Sequence, residues 1–367
     1  MESIKDYWIK KLLFPKVFIV DKPGIIISKV SSKFGNKENK RRMIFLFEDI
    51  LINLQLETTK KLGKAETSKL WYKIGKDIGT RYILSSKTKK INKSLMPIVI
   101  RYIFSSLRAN GMSICEKIVF KDDSLTLEGK DNIVWRKTRD GSVFAGLVSG
   151  ILGPLFKENI EAKWIEKNGK QIIIANKNIS RKYIPNFKEL LPSQQYDTLN
   201  FPEDSFCKKQ CPSFNDFVKF KKIDIRNGKN YLKSTIIIPS EIGLSGIVKS
   251  NYYNIKEEKL LEKVIISSAE EVYEKLFKNK ENLNENLKSV KNVLCALGWG
   301  IPFHRISKKH ITFSFLYPPL SKYEFTYQAL VLNGFLNRIL KKKFKIKNMK
   351  IDNNSNTIEI RYERNDP

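Results

Sequence analysis

Two cysteines placed close together are the first residues of this sequence whose spacing suits chemistry. Cys207 and Cys211 are four residues apart, which places two side chains on one face of a helix. Basic neighbours such as Lys208 and Lys209 favour a thiolate and make it more reactive. A structural zinc site needs four ligands, however, and no second close cysteine pair exists. We therefore interpret the pair as ordinary thiols in a connecting segment.

The two histidines offer no better catalytic arrangement. His304 and His310 fall in a predicted hairpin with a short connection at 307–309. That connection places His304 opposite Thr312 and His310 opposite Ile306, so the imidazoles are not adjacent and a metal site is not predicted. Neither histidine is near a glycine-flanked serine, and the glycine-rich stretches lack the lysine of a phosphate loop. The sequence thus predicts a non-enzymatic protein with no catalytic residues, metal or cofactor.

The charge of the chain is its strongest functional signal. The net charge is +30, because 68 Lys and Arg face only 38 Asp and Glu. Such an excess indicates a polyanionic partner, for which nucleic acid or a ribonucleoprotein is the first candidate. Compositional drift toward lysine is the alternative, but drift explains the scarcity of acidic residues poorly. The dominance of lysine favours phosphate contacts over bidentate recognition of bases.

The basic residues form clusters. These clusters lie at 36–42, 87–93, 219–225 and 341–350. The last is the densest, and its Phe344, Ile346 and Met349 are predicted to anchor one side while the lysines face solvent. One basic run is usually a solvated surface, whereas several in one chain indicate a binding footprint. The predicted nucleic-acid-binding residues are Lys341, Lys342, Lys343, Lys345, Lys347, Lys350, Lys219, Lys221, Lys222, Arg41 and Arg42.

The order of elements repeats along the chain. The first copy is predicted to contain a hairpin, two helices, three strands, a glycine-rich apolar segment and a last strand, at 16–30, 68–84, 96–111, 114–120, 125–129, 132–137, 144–156 and 170–175. The second copy is predicted to contain a hairpin, two helices, a hairpin, an apolar segment and a last strand, at 219–239, 267–277, 285–300, 303–317, 327–340 and 356–362. The offsets between matching glycines decline steadily, which indicates duplication with insertions in the first copy.

These elements predict an α+β fold made of two tandem copies of a domain, each with helices packed on an antiparallel sheet. The predicted boundaries are 1–182 for the first domain and 216–367 for the second. A linker is predicted at 183–215, where proline, serine and aspartate are frequent.

A pattern of small residues gives the first copy a resemblance to a known family. The pattern consists of Tyr72, Gly75, Gly79, Gly111, Ala145, Gly146, Gly150 and Glu161. It resembles the 4-vinyl reductase domain family, which is related to Bet-type subunits of the TRAPP tethering complex and to heme-binding nitric-oxide sensor domains. The resemblance covers most of 43–180 and is weaker over 250–364. It implies helices packed on an antiparallel sheet, an apolar cavity and a dimer interface.

The resemblance also implies a ligand pocket and a metal site. The pocket residues would be Trp71, Gly75, Gly79, Gly146 and Gly150. The alternative is close packing of the helices with no cavity, since small residues in apolar stripes usually belong to a core. For the metal site, Glu161 matches the family glutamate, but Lys163 and Gln171 stand where thiols are expected. The family's zinc or heme chemistry is therefore not expected in this chain.

Three functions follow as expectations. The first is a basic binding or regulatory protein that contacts nucleic acid or a ribonucleoprotein. The second, implied by the resemblance, is a sensor that binds a small hydrophobic ligand in the first domain. The third is a membrane-surface adaptor, with the N-terminal segment around Trp8 on acidic lipid. The N-terminus lacks the pattern of a signal peptide and no long apolar run occurs, so a cytoplasmic location is predicted.

Overall fold

The computed structural model has an α+β fold, as the sequence predicts, with helices packed on antiparallel sheets. The predicted cluster at 87–93, Cys207 and most of the predicted linker lie outside the described residues, as does Trp8. The structure describes residues 18–30, 39–85, 95–109, 111–121, 124–179, 211–226, 229–241, 243–278, 281–307, 310–319, 325–352 and 356–364.

The N-terminal half, residues 18–179, begins with strands and ends in a hairpin. Its elements are β1 (Phe18–Lys22), β2 (Ile25–Val30), β3 (Asn39–Phe47), α1 (Glu48–Ser85), α2 (Met96–Ala109), β4 (Ile114–Lys121), β5 (Ser124–Lys130), α3 (Trp135–Thr138), α4 (Ser142–Phe156), β6 (Glu161–Lys167) and β7 (Lys170–Asn176).

The C-terminal half, residues 211–364, presents a similar succession. Its elements are α5 (Phe214–Lys219), β8 (Ile223–Arg226), β9 (Lys229–Leu232), β10 (Thr235–Glu241), α6 (Gly243–Asn254), α7 (Glu258–Leu276), α8 (Leu283–Ala296), β11 (Ile301–Ile306), β12 (His310–Leu316), α9 (Thr326–Leu340), β13 (Phe344–Asp352) and β14 (Thr357–Arg364). The single helix α1 contains a non-helical residue, Gly63, where the C-terminal half has the break between α6 and α7.

The strands form three sheets, two of which have matching strand orders. The N-terminal sheet is ordered β4-β5-β7-β6 and the C-terminal sheet is ordered β11-β12-β14-β13. Gly150 and Gly334 lie in the helix that precedes the last hairpin of each half. This common order supports the duplication, which stays a prediction until the halves are superposed.

The central sheet joins the two halves. It is ordered β1-β2-β3-β10-β9-β8, and its middle is the antiparallel pair β3–β10, in which Phe47 lies opposite Ile237. Phe45 and Phe47 belong to the same buried cluster as Trp299 and Phe335 of the C-terminal half. The predicted domains 1–182 and 216–367 therefore share a sheet and a core, and they are not separately packed bodies.

The hairpin β1–β2 docks on the C-terminal half. The amide of Gly24 donates to the carbonyl oxygen of Cys295 at 3.0 Å, and the amide of Gly300 donates back to the oxygen of Gly24 at 3.0 Å. Asp21 accepts hydrogen bonds from the amides of Phe214 and Asn215, at 3.1 and 2.7 Å. Residues 211–215, predicted as linker, thus lead into α5, whose first turn is held by a strand from the other half.

Glycines bring α1 and α4 into backbone contact. A Cβ added to Gly75 would lie 2.0 Å from the carbonyl oxygen of Val143, and one added to Gly146 would lie 2.0 Å from that of Tyr72. No Cβ fits at such a distance, so the two helices need glycine to approach this closely. A Cβ added to Gly79 would likewise lie 2.3 Å from the carbonyl oxygen of Leu147, and one added to Gly150 would lie 2.1 Å from that of Lys76.

One predicted strand is wrong. Residues 132–137 form a turn that leads into the short helix α3, and they do not pair with β5. The cause is a buried ion pair: the carboxylate of Glu48 accepts from the amide of Val134 at 2.9 Å and from Nε of Arg136 at 2.7 Å. This long-range contact fixes the backbone there. Ile133 and Val134 therefore enter the core from a turn, and Trp135 beside them is buried.

We predict that alanine at Gly146 forces α1 and α4 apart. Gly146→Ala should lower the free energy of unfolding by about 2–4 kcal/mol, because the new Cβ clashes with backbone atoms that can move only if a whole helix moves. Thermal and urea unfolding measure the loss. The matched control is Gly153→Ala in the same helix, where the nearest atom to the new Cβ is 3.5 Å away. Alanine there should be neutral or stabilising by up to about 1 kcal/mol; equal losses in both variants would contradict the close approach of the helices.

We also predict a pH dependence from Asp21. Burial raises the pKa of its carboxyl from 3.8 to about 6, so the folded state binds a proton there more tightly than the unfolded state. The stability that Asp21 contributes is therefore full below about pH 4 and is lost as the pH rises through 6. Urea unfolding across this range should show the parent losing stability relative to Asp21→Asn. The control Asp224→Asn removes a half-exposed carboxylate instead. The free energy of unfolding of the parent minus that of Asp21→Asn should fall from pH 4 to 6. A value that stays constant or rises over this range would contradict the prediction.

Candidate nucleic-acid interface

The densest basic cluster lies on an exposed edge strand. Residues 341–343 form the turn after α9, and 344–350 belong to β13, which is an edge strand of the C-terminal sheet. Phe344, Ile346 and Met349 pack against the core, while the lysines of this segment are exposed. The predicted division into anchoring and solvent-facing side chains is thus confirmed, and the lysine side chains stand on the outside of the fold.

Four of the six lysines of this cluster form no ion pair within the described ranges, although Glu363 and Glu359 are the cross-strand neighbours of Lys345 and Lys350. Lys343 is paired with Glu270 at 2.8 Å and Lys347 with Glu363 at 3.0 Å. In the part of the chain that the structure describes, no carboxylate lies within 4.0 Å of the remaining four, which are Lys341, Lys342, Lys345 and Lys350. We call these four the free lysines. Their ammonium groups are available to an external anion without breaking an ion pair.

Arginines extend the positive charge across the outer side of the C-terminal sheet. Alternating residues of β12 and β14, such as Phe313 and Ile360, are fully buried against the helices. The other side of the same strands, which we call the open face, is exposed or half-buried. From the strand register, its side chains are Phe303, Arg305, His310, Thr312, Ser314, Thr357, Glu359, Arg361, Glu363, Lys345, Asn348, Lys350 and Asp352.

The histidines lie on opposite sides of this sheet. The predicted register is wrong by one residue: His304 lies opposite Phe313, and Ile306 lies opposite Ile311. The amide of Ser307 donates to the carbonyl oxygen of His310 at 2.9 Å, so these two residues face each other and the strands are joined by a shorter connection than the predicted one. His304 faces the core, where burial lowers its pKa and favours the neutral ring.

On the open face, two contacts position charged side chains. His310 Nδ1 lies 3.2 Å from a guanidinium nitrogen of Arg361. The hydrogen bond from Lys347 lowers the pKa of Glu363, so this carboxylate stays ionised and neutralises Lys347. The net positive charge of the face is therefore carried by its arginines together with the free lysines of β13.

The other predicted nucleic-acid-binding residues do not lie on β13. Lys219, Lys221 and Lys222 are exposed at the end of α5, on a different element from β13. The side chain of Arg41 lies outside the described residues. Arg42 contradicts the prediction, because it is 6% exposed and its guanidinium donates to carbonyl oxygens of Gly24, Gly298 and Tyr317. That arginine fastens the β1–β2 hairpin to the C-terminal half.

The residues predicted to line a ligand pocket belong to the packed interior. Trp71 is 1% exposed and lies in the core that the two halves share. The faces of the four glycines are occupied by the backbone of the opposing helix, as described above. Close helix packing, the alternative interpretation, therefore accounts for Gly75, Gly79, Gly146 and Gly150.

Glu161 is engaged in a buried polar cluster. Its carboxylate is fully buried, lies 2.5 Å from Nζ of Lys76 and accepts from the hydroxyl of Tyr72. Burial raises the pKa of Tyr72, so its phenol stays protonated and remains a donor. The hydroxyl of Ser149 adds a further hydrogen bond to the carboxylate at 3.3 Å. This cluster joins α1, α4 and β6.

The residues present do not fit the zinc or heme site of the resembling family. Glu161 lies opposite Asn176 at one end of the β6–β7 hairpin, whereas Gln171 lies opposite Glu166 near the other. Five residues along a strand separate these positions by about 16 Å. Lys163 is exposed. Throughout the described ranges, no group of three or more His, Cys, Asp or Glu is placed to hold a metal ion.

Comparison with known proteins adds no family assignment. No protein-family model matches the sequence, and no curated protein matches it. None of the helices in the described ranges is both long and apolar enough to span a bilayer.

Sequence reasoning missed three residues of the open face. Phe303, Arg305 and Arg361 are separated in sequence and meet only through the pairing of β11, β12 and β14. The signal that points to them is the strict alternation in 311–315 and 357–362, which places every second residue on the outer side.

We predict strong energetic coupling between Lys76 and Glu161. Glu161→Gln alone should cost about 3–5 kcal/mol, because it leaves a buried ammonium without its counter-ion. The double variant with Lys76→Met should cost less than the sum of the single losses by at least about 1 kcal/mol. Urea unfolding of the four proteins measures this.

The control for this pair is an exposed pair on the same helix. Lys69 and Glu66 are 2.6 Å apart, with 74% and 60% of their side chains exposed. Glu66→Gln should change stability by less than about 1 kcal/mol. Strictly additive losses for Lys76 and Glu161 would show that the buried groups act independently.

Proposed function

We propose that this chain is a non-enzymatic nucleic-acid-binding protein that holds phosphates through the free lysines. The observation that supports the proposal is their placement: four exposed lysines that form no ion pair in the described residues, adjoining a face with two arginines, in a chain at +30. A polyanion is attracted to such groups without first breaking an ion pair, and most strongly to Lys341 and Lys342, because Lys345 and Lys350 have Glu363 and Glu359 as cross-strand neighbours.

The type of side chain indicates how the partner is recognised. An ammonium is a flexible point charge that binds phosphate oxygens, and it lacks the planar fork that recognises guanine. Interactions of this kind position a nucleic acid without specifying its sequence. The proposed activity is therefore sequence-independent binding that weakens steeply with salt, because each neutralised phosphate releases counter-ions.

Two tandem copies of a 4-vinyl-reductase-like domain, the second of them degenerate, are part of this proposal. The support is the same order of elements in both halves and the same strand order in the two outer sheets. In this view, the C-terminal copy supplies the basic surface, and the N-terminal copy packs its glycine-rich helices into the interior. That Lys219, Lys221 and Lys222 extend the same surface stays a prediction.

The free lysines provide the test. Lys341, Lys342, Lys345 and Lys350 are changed together to glutamine, and binding to labelled RNA and DNA oligonucleotides is followed by anisotropy over a series of salt concentrations. We expect weaker binding and a slope of log affinity against log salt that is flatter by about 0.7–0.9 for each phosphate that is no longer neutralised. Stability should change little, since exposed lysines contribute little to it.

The matched control removes the same charge elsewhere. Four exposed lysines on helices, Lys64, Lys259, Lys263 and Lys288, are changed to glutamine. This variant should keep a slope close to that of the parent. If both variants bind as the parent does, the free lysines are not the site. If the parent binds neither RNA nor DNA at low salt, the proposed function is wrong.

A further inference from the structure

The open face combines an exposed aromatic ring with hydrogen-bonding groups and positive charge. Phe303 is 43% exposed on β11, an edge strand of the C-terminal sheet. Directly across the sheet from Phe303, the paired residues of the next three strands are Ser314, Glu359 and, on the opposite edge, Lys350; we call such a line of paired residues a row. The next row contains Arg305, Thr312, Arg361 and Asn348. Each row thus begins with a group able to stack on a base and ends at the lysine-bearing strand.

The corresponding face of the N-terminal sheet differs. Its strand order is the same, but its outward rows read Val119, Thr126, Ile174 and Lys163, then Lys117, Glu128, Ile172 and Ile165. These rows contain hydrogen-bonding and charged side chains but no aromatic ring, and Val119 and Ile165 are 40% and 46% exposed. The exposed aromatic ring is therefore a property of the C-terminal sheet and does not follow from the topology alone.

We infer that the open face binds single-stranded nucleic acid, with a base stacked on Phe303 and the phosphates directed toward Lys345 and Lys350. The inference rests on the proposed function and names its substrate class. Phe303 and β13 are separated by three strand spacings, about 14 Å, which is a span that a strand of a few nucleotides can cross. Bases of a single strand are free to stack on an aromatic ring, whereas those of a duplex are not.

The acidic residues of β14 fit this arrangement. Glu359 lies between Ser314 and Lys350 in the middle of the face, where it repels a phosphate but accepts a hydrogen bond from a base amino group. Glu363 is neutralised by Lys347. In this arrangement, the bases lie over the middle strands, where Glu359 accepts hydrogen bonds. The phosphates lie over β13, where the lysines are positively charged.

Phe303 provides the test, with oligo-uridylate, oligo-thymidylate and a duplex of equal length as probes. Phe303→Ala should weaken binding of both single strands about 5- to 100-fold, since the ring that stacks on one base is removed. It should leave the salt slope unchanged, because no charge is removed, and should leave duplex binding unchanged. The control is Val119→Ala, which truncates an exposed apolar residue on the first strand of the N-terminal sheet and should change nothing. Unfolding measurements on both variants establish that the fold is intact.

The outcomes separate this inference from the proposed function. If Phe303→Ala binds single strands as the parent does, while the variant of the free lysines binds weakly, the stacking platform is wrong and the phosphate site stands. Equal affinity of the parent for single strands and duplex would also overturn the inference. If neither variant changes the binding, or if the parent binds only acidic lipid vesicles, the proposed function fails as well.

Discussion

The pairing of β3 with β10 is the interaction on which the rest of the structure depends. It converts two three-stranded sheets into one central sheet, and it places Phe45 and Phe47 in a core with residues of the C-terminal half. The outer strands then dock across the junction: Gly24 bonds to Cys295 and Gly300, and Arg42 reaches three carbonyl oxygens. Each half thus completes the other, and the outer sheets are left with one face toward solvent.

The two halves solve the same packing problem with different side chains. In the N-terminal half, α1 and α4 meet through four glycines, and a buried lysine–glutamate pair joins α1 to β6 beside them. In the C-terminal half, α7 and α9 have Gly334 where they meet, and a Cβ there would lie 2.4 Å from the carbonyl oxygen of Ile266 and 2.7 Å from the Cβ of Ala269. Small residues are retained where backbones approach, while the surrounding polarity differs. Substitutions around the shared helix contact make the two halves hard to match by sequence, while the order of their elements stays the same.

Local patterns predicted most of the elements, because turns and periodic apolar residues are visible in a single sequence. The hairpins around Gly24 and at 303–317, and the helices that contain Gly150 and Gly334, follow from such patterns. The β3–β10 pair, the burial of Arg42 and the turn at 132–137 were not predictable, since each depends on residues far away in the chain. The lysines of 341–350 were identified as a cluster, but their strand was hidden because lysine disrupts the apolar alternation.

Lysine on an edge strand has a second physical role, which is to prevent edge-to-edge aggregation. The corresponding edge strand β6 shows how much charge that role requires. Its exposed residues include Lys163 and Lys167 together with Glu166, which is an excess of one base. In β13, three lysines precede the strand's single acidic residue, Asp352, and three more stand in the turn before it, which is an excess of five bases. Edge protection accounts for some of these charges, and the excess adjoins a face with two arginines, which is the arrangement that the proposed anionic partner would use.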